Sequence, residues 1–163
     1  MVAAARSLGI EPAVSCAALG EFRGVKRRME VIGHTDNLTI YDDFAHHPTA
    51  IATTLDGLRK RVADERIVAI VEPRSNTMKA GVHRQTLAES AANADLTYWY
   101  QPPGLTWSME ESINGYGGQS VVQDFDDLLG AIVLEAKKGG HFVVMSNGGF
   151  SGFHQKLLKE LEI

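Results

Sequence analysis

The chain has 163 residues, 44% of them hydrophobic and 22% charged, with a formal net charge of -4. That is one domain of ordinary globular composition, long enough to bury about two thirds of its unfolded surface. The mild acidity gives no electrostatic case for a nucleic-acid partner, no apolar run approaches the ~18 residues of a membrane span, and residues 1–6 lack the order of a signal peptide.

Ala3 to Leu8 reads as the end of a helix stopped by Gly9, with no earlier element to pack on. The start of residues 1–20 therefore resembles a cut inside a longer protein, followed by a first helix from Pro12 to Leu19. Val14, Ala17 and Ala18 form its apolar side and Gly20 ends it. Cys16, the single cysteine, is expected there as a small buried hydrophobe; without an internal disulfide partner it fits a reducing cytoplasm.

Phe22 to Glu30 is a basic turn containing Lys26, Arg27 and Arg28. Such turns are usually solvated, although the planar fork of arginine suits a transferring phosphate. Met29–Thr35 and Leu38–Asp42 are strand-like and joined by Asp36 and Asn37, which predicts an antiparallel hairpin. The second strand runs into Asp42-Asp43-Phe44-Ala45-His46-His47-Pro48. Pro48 suits the first position of a helix to about Ala63, where Ile51, Leu55, Leu58 and Val62 recur at helical spacing. Two acids and two imidazoles thus gather where a strand ends. They read either as solvated turn residues with a capping histidine, or as a nucleotide or metal site at the carboxyl edge of a sheet.

Arg66–Val71 is a continuous apolar run of the kind buried in a parallel sheet. The polar loop Glu72–Gly81 that follows is a candidate substrate contact. Further along lie a helix from His83 to Ala92, a strand Leu96–Tyr100, a break at Gln101–Gly104, at most a short helix from Trp107 to Ile113, and a short edge strand at Ser120–Val122. A helix capped by Asp124 or Asp126 then carries Leu128, Leu129, Ile132, Val133 and Ala136 inward. His141–Met145 is another buried strand, ending in the glycine-rich loop Ser146–Gly152, whose backbone can approach an anion closely. A last helix spans Phe153 to Leu161. The expected fold is α/β: a mostly parallel six-stranded sheet with flanking helices and one N-terminal antiparallel hairpin. Three polar loops fall on one sheet edge, which is the physical argument for a site.

No Gly-x-x-x-x-Gly-Lys-Ser/Thr and no Gly-x-Gly-x-x-Gly after a strand is present, so a self-contained NTPase or dinucleotide enzyme is not expected. A small metallohydrolase or free-standing nucleotide- or metal-binding module using Asp42, Asp43, His46 and His47 is the alternative. Adjacent histidines point apart, however, and spaced histidine motifs are missing.

Gly24-Val25-Lys26-Arg27-Arg28-Met29-Glu30 followed by Asp43-Phe44-Ala45-His46-His47-Pro48 resembles the C-terminal domain of the Mur ligases, the ATP-dependent amide-forming enzymes of peptidoglycan synthesis. Glu72-Pro73-Arg74-Ser75-Asn76-Thr77-Met78-Lys79 and Met145-Ser146-Asn147-Gly148-Gly149-Phe150 resemble the recycling branch of that family. That branch joins UDP-N-acetylmuramate to L-alanyl-γ-D-glutamyl-meso-diaminopimelate through an acyl phosphate. The resemblance implies that residues 21–163 are the dinucleotide-binding-like third domain of a cytoplasmic three-domain ligase, inactive alone. ATP and Mg²⁺ would be held mainly by an absent central domain, and UDP-N-acetylmuramate by an absent N-terminal one. It further implies that Arg28 reaches the γ-phosphate and that Asp43 and His46 contact ATP. Arg74, Ser75, Asn76, Lys79, Ser146, Asn147, Phe150 and Ser151 fall where the incoming amine is held. Ser75 and Met78 stand where the alanine-adding relatives carry arginines, which is consistent with a larger acceptor.

Overall fold

A computed structural model describes residues 1–21, 25–101 and 103–163, with Lys79 described through its backbone alone. Phe22 to Gly24 of the basic turn and Pro102 of the expected break lie outside the described residues, as does the side chain of Lys79. Six strands form one sheet: β1 (Glu30–His34), β2 (Leu38–Asp43), β3 (Ile67–Glu72), β4 (Leu96–Tyr100), β5 (Gln119–Val122) and β6 (Gly140–Ser146). Their spatial order is β1-β2-β6-β3-β4-β5. β1 pairs antiparallel with β2, and every other pairing is parallel. This is the mixed sheet that one hairpin followed by strand–helix alternation requires.

Pleating sends alternate side chains to opposite faces, and two apolar layers result. Ala69, Val71, Val143, Met145 and Trp99 pack under α3 (Pro48–Val62), α5 (Arg84–Ser90) and α6 (Met109–Ile113). Val68, Ile70, Phe142 and Val144 pack under α7 (Phe125–Ala136) and α8 (Phe153–Glu160). β3 is buried at all six positions, which is why it reads as an unbroken apolar run rather than an alternating one. The helices that follow β2 and β3 lie on one face, and α8, which follows β6, lies on the other. The loops leaving the carboxyl ends of these three neighbouring strands therefore part around β6, the kind of switch point at which open α/β sheets bind ligands.

The second helix differs from expectation. α1 (Val2–Ser7) and α2 (Pro12–Gly20) contain no buried residue, and Cys16 is exposed rather than buried. The physical reason is visible in α2, where apolar residues run round the helix instead of forming one stripe, so no face is selected for the sheet. A second difference is α4 (Asn76–Lys79), a single helical turn inside the loop after β3. Ser75 caps it, its Oγ accepting from the Met78 amide at 3.4 Å, and Met78 is buried beneath it. Ser75 and Met78 thus both serve to build this turn.

Candidate functional site

The two acids at the end of β2 are consecutive, so the pleat sends them to opposite faces. Asp42 turns toward α8. Its carboxylate accepts from Arg27 Nε at 3.0 and 3.3 Å, and its Oδ1 lies 3.1 Å from His154 Nε2. Asp43 turns toward α3 and is only 2% exposed. Its Oδ2 accepts from the Met29 amide at 2.9 Å, and its Oδ1 accepts from the Ala45 amide at 2.8 Å and the Thr54 hydroxyl at 3.5 Å. The carboxylate expected at a nucleotide is thus directed into the protein, with both oxygens engaged.

Arg27 links two of the three loops. Besides Asp42, it donates from Nη2 to the Ser146 carbonyl at 2.6 Å. Ser146, fully buried, donates its hydroxyl to Glu72 Oε2 at 2.5 Å and accepts from the Gly148 amide at 3.0 Å. The ends of β2, β6 and β3 are in this way tied by side chains of one residue each. Arg74, at the start of the third loop, lies against the glycine loop: a Cβ on Gly148 would come within 2.7 Å of its Nη1. Gly148 is therefore a point of close approach between the two loops expected to hold an amine substrate.

Arg28 is exposed at the rim. Its guanidinium and that of Arg27 lie 5.6 and 5.4 Å from the centroid of the Phe44 ring, within cation–π reach. His46 meets the same ring edge-on, and its Nδ1 lies 2.9 Å from the Phe44 carbonyl. A carbonyl only accepts, so the proton is on Nδ1 and Nε2 of neutral His46 is left as an acceptor. His47 does the reverse: its Nδ1 accepts from the Thr49 amide as the N-cap of α3. The adjacent histidines thus divide into one cap and one ring at the loop surface.

Among the other residues expected at the site, Asn76 and Ser151 are exposed, and Ser75 is partly buried. Asn147 keeps its Oδ1 buried without a hydrogen-bond partner. Phe150 requires a correction. Its ring is fully buried, stacked on Phe153 at 4.8 Å and tilted against Tyr100 at 5.5 Å, so it anchors the loop and cannot present a face to a substrate. Phe150, Ser151 and Gly152 all have positive φ, at +43°, +49° and +77°. Consecutive left-handed residues outside glycine persist only where surrounding packing holds them, and the Phe150 ring supplies that packing.

Arg27 and His154 are functional neighbours that sequence reasoning did not single out. With Ile32, Asp42, Gly148, Gly149, Gln155 and Leu158 they line a cavity of about 320 Å³. Burial holds the His154 imidazole below the ordinary histidine range, outweighing the opposite pull of Asp42. Among the described residues no three His, Cys, Asp or Glu side chains are placed to hold a metal ion. Asp42 and Asp43 are committed to an arginine and to backbone amides, so these residues do not fit a magnesium or hydrolase-type metal centre.

The geometry is an open edge where three bonded loops lie beside an exposed arginine. The family model for the Mur ligase, glutamate ligase domain matches residues 27–148. The UDP-N-acetylmuramate–L-alanyl-γ-D-glutamyl-meso-2,6-diaminoheptandioate ligase of Escherichia coli is 46% identical over 98% of this chain and 35% of its own length. The crystal structure of a murein peptide ligase from Psychrobacter arcticus has 51% identity and a TM-score of 0.77 over 98% of this chain and 35% of that one. A domain from a UDP-N-acetylmuramate:L-alanyl-γ-D-glutamyl-meso-diaminopimelate ligase of Haemophilus ducreyi has 43% identity and a TM-score of 0.69, covering 82% of this chain and 99% of its own. The chain spans about a third of the length of the curated relatives it matches. From the strand order, the loop geometry and these similarities together, the chain belongs to the Mur ligase family and carries its glutamate ligase domain.

Proposed function

We propose that this chain works as the C-terminal domain of an ATP-dependent amide ligase joining UDP-N-acetylmuramate to L-alanyl-γ-D-glutamyl-meso-diaminopimelate in peptidoglycan recycling. The single observation that carries the reading is the convergence of three loops, bonded through Arg27, Ser146 and Glu72, beneath an exposed Arg28. Such an edge suits a domain that closes over reactants held largely elsewhere.

In the reaction proposed, the muramate carboxylate attacks the γ-phosphorus of ATP, the bond to the β-phosphate oxygen breaks, and ADP leaves. The tripeptide amine then attacks the acyl phosphate, the tetrahedral intermediate expels phosphate, and the nitrogen gives up its proton to form the amide. Arg28 places a forked positive charge against the moving phosphoryl group, where charge stabilisation has its largest effect. His46, with Nε2 free to accept, borders the nucleoside. Arg74, Asn76, Lys79, Asn147 and Ser151 hold the acceptor, cations such as Arg74 meeting its carboxylates, while buried Ser146 ties the loops that carry them through Glu72, Gly148 and Arg27. Magnesium would balance the phosphate charges, and none of the steps assigned to these residues passes through it. The work belongs to the cytoplasm, where both nucleotide substrates are found.

The test is a coupled ADP-release and product assay on the full-length ligase, with Arg74→Ala compared to wild type. A rise of about tenfold or more in KM for the tripeptide, with KM for ATP unchanged, is expected for a lost charge-assisted contact. Unchanged tripeptide KM would remove this loop from acceptor binding.

A further inference from the structure

Arg28 stands between two residues in the left-handed region, Arg27 at φ +56° and Met29 at φ +50°. Neither is glycine, and one left-handed residue on each side of an exposed arginine is a conformation the chain holds only where its surroundings over-determine it. Those surroundings are specific. The Arg27 amide donates to Glu30 Oε2 at 2.8 Å, the Phe44 amide donates back to the Arg27 carbonyl at 2.9 Å, and the Met29 amide donates to Asp43 Oδ2 at 2.9 Å. Asp43 is the member that joins separate segments: the Arg28 turn through Met29, the loop after β2 through Ala45, and α3 through Thr54.

We propose that Asp43 is a positioning residue that sets the Arg28 turn, acting on the reaction through Arg28 instead of by touching the nucleotide. A buried carboxylate is suited to this because it is an acceptor on both oxygens, and here each oxygen receives a different backbone amide. An asparagine cannot replace it in either flip, since its NH₂ would face one of those two amides. At 2% exposure the carboxylate offers almost no surface for a ribose hydroxyl to reach. The inference rests on the reading of Arg28 as the phosphate-facing charge.

The experiment uses the full-length ligase and its Arg28→Ala, Asp43→Asn and Glu30→Ala variants, together with both double variants that include Arg28→Ala. Steady-state kinetics are run with ATP and with 2′-deoxy-ATP, and hydrogen exchange is followed over residues 25–30. Asp43→Asn is expected to speed exchange in that segment and to lower kcat by about tenfold to hundredfold, the loss that follows from misplacing a group by about 1 Å. KM for ATP and the ratio between the two nucleotides stay as in wild type, and Asp43→Asn adds nothing to the loss already caused by Arg28→Ala. Glu30→Ala, which loosens the turn from its other side, gives the same pattern and serves if Asp43→Asn does not fold. Unchanged exchange, or effects additive with Arg28→Ala accompanied by a raised KM for ATP and lost discrimination against 2′-deoxy-ATP, overturns the proposal. If Arg28→Ala turns over like wild type while exchange still rises in Asp43→Asn, the role of Arg28 fails and the anchoring by Asp43 stands.

Discussion

Trp107 donates its indole N–H to the carbonyl of Met78 at 2.9 Å, across the loop that carries Arg74 and Asn76. Met78 O also receives the Gly81 amide at 3.0 Å, so this carbonyl at the end of α4 has one backbone and one side-chain donor. Gly81 has φ +70°, and a Cβ there would lie 2.9 Å from the Trp107 ring, so the indole packs on the only residue type that leaves it room. Trp107→Phe keeps most of the ring and removes the donor. We expect a stability loss of about 1 kcal/mol, the worth of one part-buried hydrogen bond, seen as a Tm lowered by about 2–4 °C. KM for the tripeptide should rise while KM for ATP holds. A variant with the same Tm and both KM values of wild type would mean that Trp107 does not hold the loop.

His154 sets an acid limit on stability. It faces Asp42, Arg27 and Glu72, and burial keeps its folded-state pKa below the unfolded value despite the two carboxylates. The unfolded chain therefore binds the proton more readily. The stability contributed by the neutral ring is whole above about pH 6.5, the ordinary histidine value, and declines as pH falls from there toward the depressed folded-state pKa. Urea midpoints between pH 8 and 5 should show this decline in wild type and a shallower one in His154→Gln. Equal slopes in the two proteins would show that another group controls acid unfolding.

Much of the architecture is legible in the sequence because β3 and β6 are buried on both faces and so are written as apolar runs, while α3 carries its stripe at helical spacing. The opposed directions of Asp42 and Asp43 were also available, since alternation alone separates neighbouring residues of a strand. What alternation does not convey is the anchoring partner. Nothing marks Arg27 or Met29 as left-handed, because non-glycine residues take that conformation for tertiary reasons. His154 looks like any polar residue in a helix until β2 places Asp42 beneath it. The core position of Phe150 is hidden for a related reason: its glycine and serine neighbours imply an open loop, and only the facing Tyr100, Phe125 and Phe153 rings show it to be core. α4 is too short for periodicity to reveal.

Asp42→Asn tests the tie between β2 and the basic turn. The Asp42–Arg27 pair is partly buried, with side chains 13% and 30% exposed, so its loss falls between an exposed pair and a fully buried one. About 2 kcal/mol is expected by chemical denaturation. The variant also removes the group that raises the His154 pKa, so its acid-side loss should be steeper than that of wild type. A variant as stable as wild type at pH 8, with an unchanged acid slope, would show that Asp42 does not hold the basic turn.

Ser151 allows backbone strain and substrate contact to be separated. It is exposed, with φ +49° and ψ +30°, a region that an L-residue enters at about 1–2 kcal/mol and glycine enters freely. Ser151→Gly recovers that strain and loses part of it to the greater freedom of glycine in the unfolded chain, for a net gain of about 0.5 kcal/mol. The substitution also deletes the hydroxyl proposed to meet the acceptor. The variant should therefore melt slightly higher while its KM for the tripeptide rises and its KM for ATP does not move. A higher Tm with unchanged tripeptide KM would leave Ser151 as a turn residue alone. A lower Tm would mean that the hydroxyl holds the loop more strongly than the left-handed backbone strains it.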